Sequence, residues 1–341
     1  MTDALRPRTL AEFGGQDRVV GELSMVLASA TRRAALCDHL LFAGPPGLGK
    51  TTLAAIVAAE LGLEFVATTG PVLEKPASII AMLTSLSGPA IVFIDEIHRI
   101  PRTVEETLYP AMEDGVIDLI VGEGARSRPV RLPLKPFVLI GATTQTGLLS
   151  APLRDRFGFH AKLDLYDEAP LAAIVARSAG LLEITLSGDA ASVIAGRSRG
   201  TPRVANACLR RVRDYAESNE LTIIDAALAA EALDAFHIDE LGLDTSGREI
   251  LAALIDRFDG GPVGLSTLAA AVGEAATTVE EVYEPFLLRQ GLLARTPRGR
   301  VATARAYAHL GLPVPVTELA QRSLTEPASQ PGFAFDGINE L

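Results

Sequence analysis

Eight consecutive residues, Gly44-Pro45-Pro46-Gly47-Leu48-Gly49-Lys50-Thr51, follow the spacing G-x-x-x-x-G-K-[ST], a pattern suited to cradling a polyphosphate. Glycines such as Gly47 and Gly49 let the backbone turn successive N–H groups toward phosphate oxygens, and the positive end of a following helix dipole points at the same anion. Lys50 is placed to reach the β and γ phosphates, Thr51 to offer its hydroxyl to Mg²⁺, and Thr52 to lie near the α phosphate. Further along, the apolar run Ile91-Val92-Phe93-Ile94 delivers Asp95-Glu96 at a strand end, where ligands bind in open α/β sheets. Asp95 can join the Mg²⁺ shell while Glu96 orients and deprotonates an attacking water. The chemistry these groups support is hydrolysis of a nucleoside triphosphate, beyond simple binding.

Weaker signals surround them. Gly141-Ala142-Thr143-Thr144 ends a second apolar run, so a Thr144 hydroxyl at that edge can bond the attacking water or Glu96. Arg154 and Arg156 follow a proline-containing turn, where guanidinium groups neutralise charge during phosphoryl transfer. Arg203, in Gly200-Thr201-Pro202-Arg203, stands just inside a helix and can approach the γ phosphate from a second direction. In the last third of the chain Arg289, Arg295, Arg298, Arg300 and Arg305 occur with no acidic residue among them, a local cationic stretch suited to DNA phosphates.

These groups need a scaffold. His39 to Ala43 reads as a short buried strand and Thr51 to Leu61 as a helix stopped by Gly62, so the phosphate loop sits between strand and helix. Further apolar runs at Phe65 to Thr68, Ala90 to Ile94 and Phe137 to Ala142 alternate with helical stretches near 17–30, 76–86 and 103–113, the pattern of a parallel sheet with helices on both faces. Gly115 to Pro136 alternates apolar and polar residues around Gly122, Gly124 and Pro129 and reads as a projecting β-hairpin. Asp167 to His237 reads as wholly helical. Beyond it, Arg248 to Phe258 is expected to be a helix, Ser266 to cap a second ending at Val272, and Thr278 to Gln290 to form a third with Val279, Val282, Phe286 and Leu287 on one face. Strand, turn and strand then follow from Gly291 to Thr303, giving a winged helix. The expected domains are 1–166, with the hairpin at 115–136; 167–237; and 238–341, with a flexible tail at 322–341.

The whole chain has 341 residues, 48% hydrophobic and 21% charged, an ordinary globular composition. Its net charge of −11 argues against nonspecific polyanion binding, so any nucleic-acid site must be local. Residues 77–94 carry no charge, but Ser85, Ser87, Gly88 and Pro89 break the run, so helix, turn and strand fit better than a membrane span. The isolated Cys37 and Cys208 and the lack of a secretory leader pattern suit a reducing cytoplasm.

Together these residues resemble an AAA+ ATPase and, more closely, the RuvB family of bacterial Holliday-junction branch-migration motors. The resemblance runs nearly end to end through Leu5-Arg6-Pro7, Gly14-Gly15-Gln16, Gly44 to Thr52, Phe93 to Arg99, Leu108 to Asp114, Gly141 to Thr144, Pro152 to Gly158, Gly200 to Arg203, Gly260 to Leu265 and Arg295 to Arg300. It implies an α/β P-loop AAA+ domain, a small helical lid and a C-terminal winged-helix domain. It also implies that Asp95, Glu96, Thr144 and Arg156 are catalytic, with Arg156 acting as a finger on a neighbouring subunit's nucleotide. Leu5, Arg6, Gly47, Gly49, Lys50, Thr51, Thr52, Glu113, Asp114, Gly115, Arg156, Tyr166 and Arg203 would contact ATP, Thr51 and Asp95 would hold Mg²⁺, and Arg295 and Arg300 would touch DNA. The implied partners are duplex and Holliday junction DNA, RuvA on the 115–136 hairpin, RuvC resolvase and further copies in a homohexamer, with no membrane. Gln145 departs from the family's usual arginine, and the tail after Pro315 differs from most members. A nucleotide-gated winged-helix regulator without productive turnover is the rival expectation, and Glu96 separates the two.

Overall fold

The computed structural model describes residues 3–121 and 128–314. Gly122 and Gly124 of the expected hairpin and the tail at 322–341 lie outside them. The chain divides into two compact units, Met1–Thr245 and one beginning at Ser246, so the expected sheet and lid domains fall in the same unit.

In the first unit, short 3-10 turns at Asp3–Leu5 and Leu10–Glu12 precede α1 (Asp17–Arg32), β1 (Leu40–Ala43), α2 (Lys50–Leu61), β2 (Glu64–Thr69), α3 (Pro76–Thr84), β3 (Ala90–Asp95) and α4 (Arg102–Glu113). The antiparallel pair β4 (Val116–Val121) and β5 (Arg128–Pro133) comes next, then β6 (Phe137–Thr143), α5 (Ala151–Arg154) and β7 (Phe159–Lys162). The sheet order is β2-β3-β6-β1-β7, and every pairing in it is parallel. Successive strand residues go to opposite faces: Leu40, Phe42, Ile91 and Phe93 join one apolar cluster, Leu41, Val92 and Ile94 the other. Both faces are covered by helices, which is why the strands read as continuous apolar runs. The uncharged run at 77–94 is accounted for by α3 and β3, and among the described residues no helix is long and apolar enough to cross a membrane.

The lid comprises α6 (Glu168–Leu181), β8 (Thr185–Leu186), α7 (Gly188–Gly196), α8 (Pro202–Ser218), β9 (Ile223–Ile224) and α9 (Ala226–Ala235). It is therefore not wholly helical, because Thr185 pairs with Ile223 and Leu186 with Ile224 in parallel. Two-residue strands are too short to display a period of two, so only tertiary pairing reveals them.

The second unit follows the boundary within α10 (Thr245–Asp256) and holds α11 (Leu265–Val272), α12 (Ala276–Thr278), a π-helical turn at Val279–Tyr283, α13 (Glu284–Arg289), the antiparallel β10 (Leu293–Thr296) and β11 (Gly299–Ala302), and α14 (Ala304–His309). Two sequence expectations are corrected here. Gly264, not Ser266, is the N-cap of α11, and it supplies no side-chain bond. Val282 is exposed, whereas Tyr283 is buried beside Val279, Phe286 and Leu287. Pro285 has no N–H and its ring crowds the carbonyl of residue 281, so the preceding turn widens and the buried face shifts by one residue.

His39 pins the sheet to α4: its Nε2 donates to Met112 O at 3.1 Å while its Nδ1 accepts from Leu139 N at 2.9 Å. Burial holds its pKa below the ordinary 6.5, because the neutral ring alone can make both bonds. For a base whose folded pKa is depressed, the stabilisation is complete above the unfolded value and is lost as pH falls below it. Urea unfolding should accordingly show stability declining from pH 7 to pH 5, with a shallower decline in His39→Gln; equal slopes in the two proteins would exclude this role.

Candidate functional site

The phosphate loop lies at the C-terminal end of β1, between β6 and β7, and runs directly into α2. Its glycines are in the left-handed region, Gly47 at φ 84° and Gly49 at φ 102°. A Cβ on Gly47 would come 3.1 Å from Cβ of Arg203, and one on Gly49 would come 3.0 Å from the Phe13 ring, so neither neighbour leaves easy room for a side chain. Lys50 is buried and its Nζ spans the loop, donating to Gly44 O at 2.7 Å and Pro45 O at 3.0 Å. At the other end Gly62, at φ 63°, caps α2 as its sequence position indicates.

The loop opens into a cleft of about 540 Å³. Leu5, Arg6, Gly47, Gly49, Lys50, Thr51, Thr52, Asp95, Glu96, Tyr166 and Arg203 all line it. Lid and loop meet through backbone as well: Arg203 N donates to Gly47 O at 3.3 Å. Tyr166, buried, donates its N–H to Gly200 O at 2.8 Å and its hydroxyl to Leu48 O at 3.4 Å. Burial pushes its phenol up to about 12, against a smaller opposing pull from Gln16, so it stays a neutral donor.

At the end of β3, Glu96 stands at φ 50°, a left-handed conformation costing a non-glycine residue roughly 1–2 kcal/mol. Its Oε2 accepts from Thr144 Oγ1 at 3.2 Å and lies 3.4 Å from His98 Nδ1. That same ring nitrogen is 2.9 Å from Thr143 Oγ1, which in turn accepts from Gln145 N at 3.0 Å. Thr144 is thus joined to the cleft through Glu96 without lining it. His98 lies between Phe93 and Arg99 in the sequence, yet its part in this network depends on the β3–β6 juxtaposition, which spacing alone does not reveal.

Glu113, Asp114, Gly115 and Arg156 do not line the cleft. Arg156 Nη2 is 2.9 Å from Glu113 Oε1, Nη1 donates to Pro152 O at 2.6 Å, and the guanidinium lies 4.3 Å from the centre of the Tyr109 ring. Arg156 and Glu113 are therefore brought together with each other and lie outside the cleft around the phosphate loop of the same chain.

Several cleft residues escaped the sequence reading: Phe13, Ile174, Arg177, Asn206 and Arg210. Arg177 of α6 clamps the N-terminal segment, its Nη1 donating to Leu5 O and its Nη2 to Glu12 Oε2, both at 3.0 Å. An arginine in mid-helix carries no local signal of such a role; only the regular spacing from Arg203 to Asn206 and Arg210 on α8 hints at a shared face.

The residues suit a magnesium nucleotide. Left-handed glycines leave a cradle that side chains would crowd, lysine and arginine supply positive charge, and the Thr51 hydroxyl and Asp95 carboxylate are hard oxygen donors of the kind Mg²⁺ takes alongside phosphate.

In the second unit the wing pairs Arg295 directly opposite Arg300. Both meet Glu284, whose side chain is 1% exposed: Arg295 Nε donates to Oε1 at 2.5 Å, Arg300 Nε to Oε1 at 3.2 Å and Arg300 Nη2 to Oε2 at 3.1 Å. Arg295 Nη2 also donates to Glu280 Oε1 at 3.1 Å. Burial by itself would raise the Glu284 pKa, yet the hydrogen bonds from Arg295 and Arg300 hold it below the ordinary carboxylate range. The acid-free stretch of sequence is therefore not acid-free in space, because the preceding helix returns Glu280 and Glu284 to it.

Comparison with known proteins agrees along the chain. Family models described as the Holliday junction DNA helicase RuvB P-loop domain, the RuvB AAA lid domain and the RuvB C-terminal winged helix domain match residues 5–163, 166–239 and 240–311. The Holliday junction branch migration complex subunit RuvB of Mycolicibacterium smegmatis is 55% identical over 321 residues, covering 94% of this chain and 92% of that protein. Its Mycobacterium tuberculosis counterpart is 54% identical over 330 residues, covering 97% and 93%. The solved Thermotoga maritima RuvB Holliday junction branch migration motor superposes with a TM-score of 0.84 at 46% identity, covering 92% of this chain and 100% of that one.

The Arg177 clamp yields a direct test. Arg177→Ala should speed hydrogen exchange across residues 5–13 and weaken binding of a non-hydrolysable ATP analogue about tenfold, the worth of a charge-assisted hydrogen bond. Unchanged exchange and affinity, measured by mass spectrometry and calorimetry, would remove the clamp from the site.

Proposed function

The chain belongs to the RuvB family, and from that membership we propose that it is the ATP-hydrolysing motor subunit that drives branch migration of Holliday junctions in recombination and DNA repair. The observation that carries the reading is the cleft itself: phosphate loop, strand-end carboxylates and lid arginine converge, and Thr144 of one strand end is bonded to Glu96 of the next.

In this reading the α2 N-terminus, Lys50 and Thr52 bind the phosphates, while Leu5, Arg6 and Tyr166 contact the rest of the nucleotide. Thr51 and Asp95 would hold Mg²⁺, which when bound draws charge from the phosphate oxygens. Glu96 accepts the proton of the attacking water, and the Thr144 hydroxyl keeps its carboxylate aimed. Arg203 binds near the γ phosphate, so loss of that phosphate is felt at the start of α8. Arg156, turned away from its own cleft, serves the nucleotide of an adjacent copy, together with Glu113, Asp114 and Gly115. That requires a neighbouring copy of the chain, and the homohexameric ring is the arrangement that membership of the family implies. The 115–136 hairpin docks RuvA, RuvC joins the complex, and the wing arginines hold duplex DNA. The site of action is the cytoplasm.

Glu96→Gln should retain nucleotide binding and lower DNA-stimulated phosphate release by about 10²–10⁴-fold. Undiminished release would favour an ATP-gated DNA-binding regulator over a motor. The double substitution Arg295→Ala and Arg300→Ala should weaken duplex binding and reduce its dependence on salt while basal hydrolysis continues. Identical salt slopes for parent and variant would rule out wing contact.

A further inference from the structure

We propose that Glu284 is a positioning residue for DNA binding: a buried carboxylate that holds the wing arginines Arg295 and Arg300 in the geometry that grips phosphate. The inference rests on the reading of the wing as a DNA contact and assigns a role to an acidic residue within it.

Three observations converge on Glu284. First, Arg295 and Arg300 are direct cross-strand partners, and like charges in that relation repel. Second, Glu284 accepts the Nε–H of both, so one carboxylate orients both guanidinium planes. Third, its side chain is 1% exposed, while the side chain of Arg295 is 50% exposed and that of Arg300 16%. The carboxylate therefore works from beneath, and the more accessible arginine faces outward above it. Guanidinium groups fixed by their inner edges lose less rotamer freedom on meeting a phosphate than free ones do. The wide turn ahead of Pro285 belongs to the same device, since it sets the phase in which α13 presents Glu284 to the strands.

The sign of the effect separates positioning from simple charge. Removing an acid from a DNA-binding surface adds positive charge and on Coulombic grounds tightens binding. Positioning demands the opposite. With the full-length protein and a labelled duplex, fluorescence anisotropy should find Glu284→Gln binding about fivefold or more weakly than the parent. The charge-matched exposed substitution Glu249→Gln should bind at least as tightly as the parent. Because Glu284 acts through the arginines, Glu284→Gln should cost nothing further in an Arg295→Ala, Arg300→Ala background. Glu284→Asp, which keeps the charge but shortens the reach, should also weaken binding, and it decides the matter if Glu284→Gln does not fold. Equal or tighter binding by Glu284→Gln, or losses that add fully to those of the arginine variants, would overturn the proposal. Should the double arginine variant alone bind like the parent, the wing reading fails and this inference with it; should it bind weakly while Glu284→Gln does not, only the inference fails.

Discussion

A continuous apolar layer fixes the geometry of the cleft. Leu40 and Phe42 of β1, Leu23 and Leu27 of α1, Ile56 and Val57 of α2, and Val175, Leu209 and Leu233 of the lid helices belong to one buried cluster. Each such side chain contributes about 1.5–3 kcal/mol by leaving water, so the start of α8 is held against the phosphate loop by far more than its own polar contacts. The bond from Arg203 N to Gly47 O and the Tyr166 bonds to Gly200 and Leu48 are made possible by that layer. On the proposed reading this is also what transmits a stroke. Tyr166 leads into the lid while touching the phosphate loop, so a lid that tilts cannot leave the loop unmoved.

Electrostatics in this acidic chain act locally. With a net charge of −11, long-range attraction to a polyanion is absent, and screening confines each charge to roughly 10 Å at ordinary salt. Arg6, Lys50, Arg177, Arg203 and Arg210 are gathered around one cleft, and Arg295 and Arg300 on one hairpin. In both places carboxylates are interleaved with the cations: Glu12 with Arg177, Glu280 and Glu284 with the wing. Such acids reduce net attraction but give each guanidinium a fixed direction, and direction is what discriminates a phosphate from bulk anions.

What the sequence disclosed and what it hid follow from how local each cause is. The phosphate loop, the strands and their connecting helices are written in short runs, because glycine conformation, helix capping and apolar runs act within a few residues. Cleft residues in the loop and at the end of β3 were legible for the same reason. Arg177, with its hold on Leu5 and Glu12, was not, since that contact joins segments far apart in the chain. The paired two-residue strands of the lid and the acids beneath the wing escaped likewise. The displaced face of the third helix of the second unit is different in kind: Pro285 is plain in the sequence, but a regular 3.6-residue period cannot express a widened turn, and so it puts Val282 inward where Tyr283 belongs.

On the proposed reading Arg156 is a finger for a neighbouring copy, and its contacts within its own chain hold it poised and harmless there. Its guanidinium is stacked on Tyr109 and bonded to Glu113 and Pro152, while its Nε is buried with no hydrogen-bond partner among the described residues. An unsatisfied buried donor costs about 1–3 kcal/mol, a cost proteins tolerate where function requires it. On the proposed reading, part of the desolvation needed to approach an anion has thus already been met in the folded chain. On the proposed reading, transfer to a neighbour's phosphate replaces one anion, the Glu113 carboxylate, with another of higher charge. The exchange leaves the guanidinium paired at both ends and favours the phosphate, so an assembled ring can engage the finger without paying to expose a bare charge.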